Sequence, residues 1–212
     1  MYGMRAMPDP TRAQPCLPRS GHGPGVLVLA AGARGDALRR ESVVRLAHHG
    51  FVAQFVDLPD ASGDGPSEAE RSAVDAGIAQ LFCDHAVDGA RVGVLGFGRG
   101  GLLAVDAAAR GARIAAVVAL DASFDPAALD GSLARIDAFV LAVFAGKGSG
   151  AARGDAAELE RRLRGEQIAV EVRTQPGAGE GFADPGQPDR YDATAARASW
   201  DAAIARLRAE LS

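Results

Sequence analysis

Short, unbroken apolar runs alternate with amphipathic stretches from residue 26 to the end of the chain. The run Val26-Leu27-Val28-Leu29-Ala30-Ala31 stops at Gly32, which is how a strand buried on both faces reads. After the polar loop 32–36, Leu38, Val43, Val44, Leu46 and Ala47 mark one side of a helix that Gly50 ends. Residues 51–58 predict the next strand, closed by Pro59. Gly63, Gly65 and Pro66 make a loop. Ser67 with Glu70 reads as a capping box that opens a helix reaching residue 84. The same alternation predicts strands at 91–95, 114–120, 138–144 and 169–173, and helices at 100–110, 155–164 and 194–211.

Alternation of this kind builds a mostly parallel central sheet with helices on both faces, so the expected fold class is α/β. Ligands of such sheets bind beyond the carboxyl ends of the strands. Candidate site residues are thereby confined to the loops after Ala31, Leu58, Leu95, Leu120, Phe144 and Arg173. Residues 1–25 hold Pro8, Pro10, Pro15, Pro18 and Pro24 with few large apolar groups, and predict a loose leader and edge segment. Residues 26–212 read as a single domain, a common length for one α/β unit.

Charge and cysteine content remove several function classes. With 27 acidic against 23 basic side chains and a net charge of −4, the chain offers no general basic face, so no nucleic-acid partner is expected. No apolar run reaches the roughly 18–20 residues of a membrane span, and residues 1–25 lack the apolar core of a secretory signal. The expectation is a cytoplasmic chain without a membrane partner, monomeric or homodimeric, acting on a small-molecule ligand. Cys16 and Cys83 are too few for a disulfide framework or a four-ligand zinc site. No two His or Cys residues stand at ligand spacing on a pocket loop, so neither metal nor cofactor is expected.

The segment Val92-Gly93-Val94-Leu95-Gly96-Phe97-Gly98-Arg99-Gly100-Gly101 admits two readings. As G-x-G-x-x-G between strand and helix, Gly96, Gly98 and Gly101 fit a dinucleotide cradle, with Asp121 downstream for a ribose hydroxyl. That fingerprint normally opens the first βαβ unit, whereas two strands and two helices precede it here. The second reading takes the whole chain. Four stretches carry it: Arg40-Glu41-Ser42-Val43 with Gly50-Phe51-Val52-Ala53; Gly96-Phe97-Gly98-Arg99-Gly100-Gly101; Gly177-Ala178-Gly179-Glu180-Gly181-Phe182; and Tyr191-Asp192-Ala193 with Ala198-Ser199-Trp200. In order and spacing they resemble the dienelactone hydrolase family, a small branch of the α/β-hydrolases. The resemblance implies an α/β-hydrolase fold. It also implies a Cys or Ser nucleophile on a strained strand-to-helix turn, a histidine base and an orienting aspartate. Those three positions fall on Gly98, Glu180 and Gly148. A glycine has no side chain with which to attack a carbonyl, so an acyl-enzyme is not carried over.

What the resemblance leaves is a hole without its nucleophile. The backbone amides near Gly98 and Arg99, at a helix start, are expected to hold an oxyanion, and Glu180 is the candidate acid or base. Arg99 either forks onto a substrate carboxylate or covers the sheet edge. Ala31, Arg34 and Asp36 lie on the loop that supplies the second oxyanion amide in the family, although Asp36 also reads as a helix cap. Asp121 and Ser123 border the pocket, Ser149 lacks a base, and Asp184 reads equally as a site residue or as a turn former before Pro185. His48, His49 and His85 fall at the opposite end of the sheet, as helix ends and turns. His22 has no assigned role, and Cys83 reads as a small buried group. The expected function is non-hydrolytic catalysis of the cyclase, lyase or isomerase type on a carbonyl-bearing metabolite. The alternatives are a catalytically silent binding or assembly protein, a hydrolase with a non-standard nucleophile such as Ser123, and an NAD(P)-binding protein.

Overall fold

Six strands, β1 (Gly23–Ala31), β2 (Val52–Leu58), β3 (Val87–Phe97), β4 (Ile114–Leu120), β5 (Phe139–Lys147) and β6 (Val170–Gly179), form one sheet in the order β2-β1-β3-β4-β5-β6. Every strand pair is parallel. This computed structural model describes residues 15–31, 36–59, 61, 63–123, 125–129, 133–147 and 150–212. Between and after the strands come helices α1 (Asp36–His48), α2 (Glu68–Cys83), α3 (Arg99–Ala109), α4 (Gly150–Gly165) and α5 (Ala193–Leu211). Successive strand residues point to opposite faces of a sheet, and the core divides accordingly. Val26, Val28, Leu95, Phe97, Val118 and Leu120 pack with α1 and α5 through Leu46, Trp200 and Leu207. Leu27, Leu29, Val94, Val117 and Ala119 pack with α2, α3 and α4 through Leu81, Leu102 and Leu159. Continuous apolar strands are thus explained by cover on both sides.

The predicted elements are all present, with ends that differ in informative ways. The 114–120 strand is found as predicted, and Ser67 and Glu70 form the reciprocal capping box at the start of α2. The pattern predicts a strand over 169–173, but β6 continues to Gly179. Its extension pairs Ala145 with Gln175 and Lys147 with Gly179 across a register shift. Pro176 suggests a break in sequence; an edge strand tolerates it because the missing N–H faces no neighbour, and β6 is the edge. The loop expected after Arg173 therefore begins only after Gly179. Likewise β3 starts at Val87, not Arg91, pairing Gly23 with Val87 before a bulge. Of the leader, residues 1–14 lie outside the described residues. Cys16 makes an antiparallel bridge to Ala53 on the edge strand β2.

Two further expectations change. Cys83 is exposed at the end of α2 rather than buried, while Leu81 and Phe82 of the same turn pack on the core. His22 lies 2.7 Å from Asp88 through Nδ1. No helix among the described residues is long and apolar enough to cross a membrane.

Candidate active site

The chain winds away from β1 in both directions, to β2 on one side and to β3 on the other. Ligands of α/β sheets bind beyond the carboxyl ends at such a switch point, and here the turn between β3 and α3 lies at it. Gly98 caps that turn with φ 54° and ψ −120°, a left-sided conformation that glycine adopts without the penalty a Cβ brings. The turn is tight because two backbones meet there. A Cβ on Gly96 would stand 2.1 Å from the carbonyl of Gly100, and one on Gly100 would stand 2.4 Å from the carbonyl oxygen of Leu29. Gly98 N–H donates to the Leu120 carbonyl at 3.1 Å, and Gly101 N–H donates to the Gly98 carbonyl at 3.0 Å. The G-x-G-x-G spacing is therefore demanded by a strand that must reverse into a buried helix. The Arg99 and Gly100 amides, ahead of the Gly101 bond, have no carbonyl of their own helix to donate to, and they carry the positive end of its dipole. Gly98→Ala keeps this turn at a strain cost of about 1–3 kcal/mol, read as a lower midpoint in chemical denaturation.

Arg99 begins α3, and all five of its N–H donors are engaged within the protein. Nε donates to Glu70 Oε1 at 2.6 Å and Nη2 to Glu70 Oε2 at 3.0 Å. The remaining three reach the carbonyls of Gly63, Asp64 and Gly65. Glu70 is fully buried and also accepts from Ser67 N–H and Ser67 Oγ at 2.8 and 2.9 Å. Burial pushes its carboxyl up, yet the bonds from Arg99 and Ser67 outweigh this and hold it below the ordinary carboxylate range. Sequence reading names Glu70 only as a capping residue; here it also ties the loop after β2 to the elbow.

Glu180 stands one residue beyond β6, with an exposed side chain on a fixed backbone. On one side Gly179 pairs with Lys147. On the other, Gly181 N–H donates to Asp121 Oδ2 at 2.8 Å. Gly181 has φ 89°, and a Cβ there would stand 2.9 Å from Arg190 Cδ, so the turn is built around glycine. Phe182, Ala183 and Asp184 then bury the loop. Asp184 forms the expected turn, accepting from Gly186 N–H at 2.9 Å and Gln187 Nε2 at 2.7 Å. Asp121 is itself buried with φ 50°. The residue that a dinucleotide reading needs for a ribose is occupied in binding the 179–182 turn.

One carboxylate of this neighbourhood was not singled out from sequence. Asp155, half-buried on α4, is held above the ordinary carboxylate range, first by burial and then by the charges of Asp125 and Glu180. The three acids therefore share the rim formed by the carboxyl ends of β4, β5 and β6. The only available signal was the place of Asp155 near the start of a helix that follows a carboxyl-end loop. Ser123 is exposed beyond β4. Arg34, Gly148 and Ser149 lie outside the described residues, as do the side chains of Ala31 and Asp36. His48 ends α1, and His49 follows it with its ring 3.0 Å from Arg208. Burial, then the charge of Arg208, lowers the His49 pKa. No group of three or more His, Cys, Asp or Glu side chains that could hold a metal is found among the described residues.

The dienelactone hydrolase family model matches residues 12–211. No curated protein matches the chain in sequence. Among solved structures, a dienelactone hydrolase-like promiscuous phosphotriesterase from metagenomic libraries superposes with a TM-score of 0.77 at 24% identity, over 92% of this chain and 89% of that one. An α/β hydrolase enzyme from a Medee basin deep-sea metagenome library gives 0.73 at 14% identity, over 90% and 86% of the two chains. A carboxylesterase from Lactobacillus plantarum gives 0.70 at 13% identity, over 90% and 88%. At these identities the likeness is one of fold, the α/β-hydrolase fold.

Proposed function

The chain belongs to the dienelactone hydrolase family, and from that premise we propose that it moves protons beside the carbonyl of a small metabolite instead of forming an acyl-enzyme. One observation carries the reading: the elbow keeps its positive-φ apex, and the residue at that apex is Gly98. Covalent catalysis needs a side-chain oxygen or sulfur activated by a base. The family positions for nucleophile, histidine and acid fall on Gly98, Glu180 and Gly148. Acyl and phosphoryl transfer, the chemistry of the structural relatives named above, builds charge on an oxygen. The α3 amides that would hold such an oxygen remain after the attacking atom is gone.

In this scheme the substrate carbonyl oxygen rests against the α3 N-terminus, and Glu180 as carboxylate takes the proton from the adjacent carbon. The electron pair of that C–H bond moves into the carbon skeleton as an enolate, whose oxygen the amides hold. Asp155 stays protonated to higher pH than an ordinary carboxyl, and it returns a proton at another position. Two carboxyl groups in different surroundings, one exposed and one half-buried, divide the roles of base and acid. Return to a different carbon is an isomerisation; expulsion of a group from the next carbon is a lyase step, and attack within the molecule is a cyclisation. The Arg99 side chain, with every donor engaged, positions the elbow and its loop, and the Arg99 contribution to the substrate is its backbone N–H.

The purified chain in D₂O with a panel of 2-oxo acids, β-keto esters and lactones is expected to catalyse deuterium entry beside the carbonyl, followed by proton NMR. A fluorophosphonate is expected to leave its intact mass unchanged. A stoichiometric adduct, at Ser123 or elsewhere, overturns the reading. Saturable binding of panel members with no exchange above background replaces it with a silent binding protein.

A further inference from the structure

At the opposite end of the sheet, where β3, β4 and β5 begin, three cavities adjoin one another. The middle one, about 370 Å³, is lined by Arg91, Arg113, Arg135 and Asp137. It shares Arg91 and Asp137 with a neighbour of about 390 Å³, and Arg113 with another of about 320 Å³. Asp75 and Glu210, which line the two neighbours, pair with Arg110 and Arg206; in the middle cavity three guanidinium groups meet one carboxylate. That carboxylate compensates little: Arg91 Nη2 lies 3.4 Å from Asp137 Oδ2, and the Asp137 side chain is 97% exposed. Arg91 is aimed by donating Nη2 to the Ile114 carbonyl at 2.5 Å. Arg113 lies 4.0 Å over the Phe82 ring, a stacking that leaves the edge N–H groups of a guanidinium pointing outward. Arg135 Nη2 reaches only a backbone carbonyl, that of Arg110, at 3.4 Å. Among the described residues no carboxylate lies within ion-pair distance of Arg113 or Arg135. Next to them Arg110 is held by both Asp75 and Asp106, so pairing is available on this surface and the cleft goes without it.

We propose that this cleft binds a small, soluble anion bearing two or more negative oxygens, phosphate or carboxylate, on a compact apolar body. The forked donors supply the anion contacts. Phe82 with Ile78 in one adjoining cavity, and Ile136 with Phe139 in the other, supply apolar walls. The volume suits a small molecule, and a net charge of −4 repels extended polyanions and anionic membrane surfaces. The site is independent of Glu180 and of the elbow.

Isothermal titration of the full chain with inorganic pyrophosphate, and separately with citrate, is expected to show saturable binding of at least one of them. Replacing Arg113→Ala and Arg135→Ala together weakens it by about tenfold or more. Arg113→Lys with Arg135→Lys, which keeps the charge but removes the fork, falls between the two and guards against a loss due to misfolding. Arg161→Ala with Arg164→Ala, the same charge change on the outer face of α4 where both arginines pair with glutamates, leaves binding unchanged. Absence of saturation with both anions overturns the proposal, as does an equal loss in the α4 control.

Discussion

Glu180→Gln is expected to slow proton exchange beside the substrate carbonyl by roughly 10²–10⁴-fold, the range a positioned acid–base group contributes, while leaving the thermal midpoint within a degree or two. The second half of that expectation follows from how the turn is held. Gly179 and Gly181 are anchored through their backbones, to Lys147 and to Asp121, and the Glu180 side chain is exposed. The same variant has a readout that needs no substrate. Because the charge of Glu180 is one of the forces raising Asp155, the amide substitution lowers the Asp155 titration midpoint in carboxyl ¹³C NMR. Burial, the larger cause, and Asp125 remain, so the fall is partial. Unchanged Asp155 titration would separate the two carboxyls and remove the division of labour between them. The linkage sign is fixed by the direction of the shift. An acid whose folded-state pKa is raised favours folding in its protonated form, so this contribution is complete below the unfolded value and fades as pH climbs through the folded one.

Glu70→Gln is expected to lower stability by about 3–5 kcal/mol, the cost of removing one partner of a buried pair and leaving the other charge uncompensated. The neutral amide keeps a single acceptor oxygen, so the bonds from Arg99 and Ser67 that need the second oxygen are lost together with the negative charge, and the Arg99 charge keeps only the 63–65 carbonyls as partners. Denaturant unfolding at neutral pH measures the loss. The pH dependence runs opposite to that of Asp155. The folded-state pKa of Glu70 is depressed, so its stabilisation is present above the ordinary glutamate range and disappears as pH falls through the lower folded value. The gap between wild type and variant should therefore narrow on acidification. A gap that stays constant down to the acid limb would show that the pair contributes packing and not charge.

Both predictions turn on contacts of very different legibility. Ser67 and Glu70 are readable as a capping box because the reciprocal bonds close within one helical turn, and short-range backbone geometry is what a four-residue pattern encodes. That the same carboxylate grips Arg99, 29 positions on, is not encoded in any local pattern. It requires β1 to lie between β2 and β3, so that the loop after β2 and the elbow after β3 reach across the same edge. Asp121 is a parallel case. Its place at the end of a strand is evident from the apolar run before it, but its bond to Gly181, 60 positions away, depends on two carboxyl-end loops converging.

From the chain of letters alone came the α/β class, the six strands and five helices, the glycine elbow at 96–101 and the likeness to dienelactone hydrolases. These rest on periodicity and on spacing within single turns, where steric rules act over a few residues. Tertiary packing decided how far β6 runs, which partners occupy the Arg99 donors, that Asp155 joins Glu180 on one rim, and that three arginines from separate segments open onto one cleft at the far end. Those features depend on strand order and on charges brought together from distant segments. Coulombic and desolvation energies follow distance in space, which sequence separation does not set.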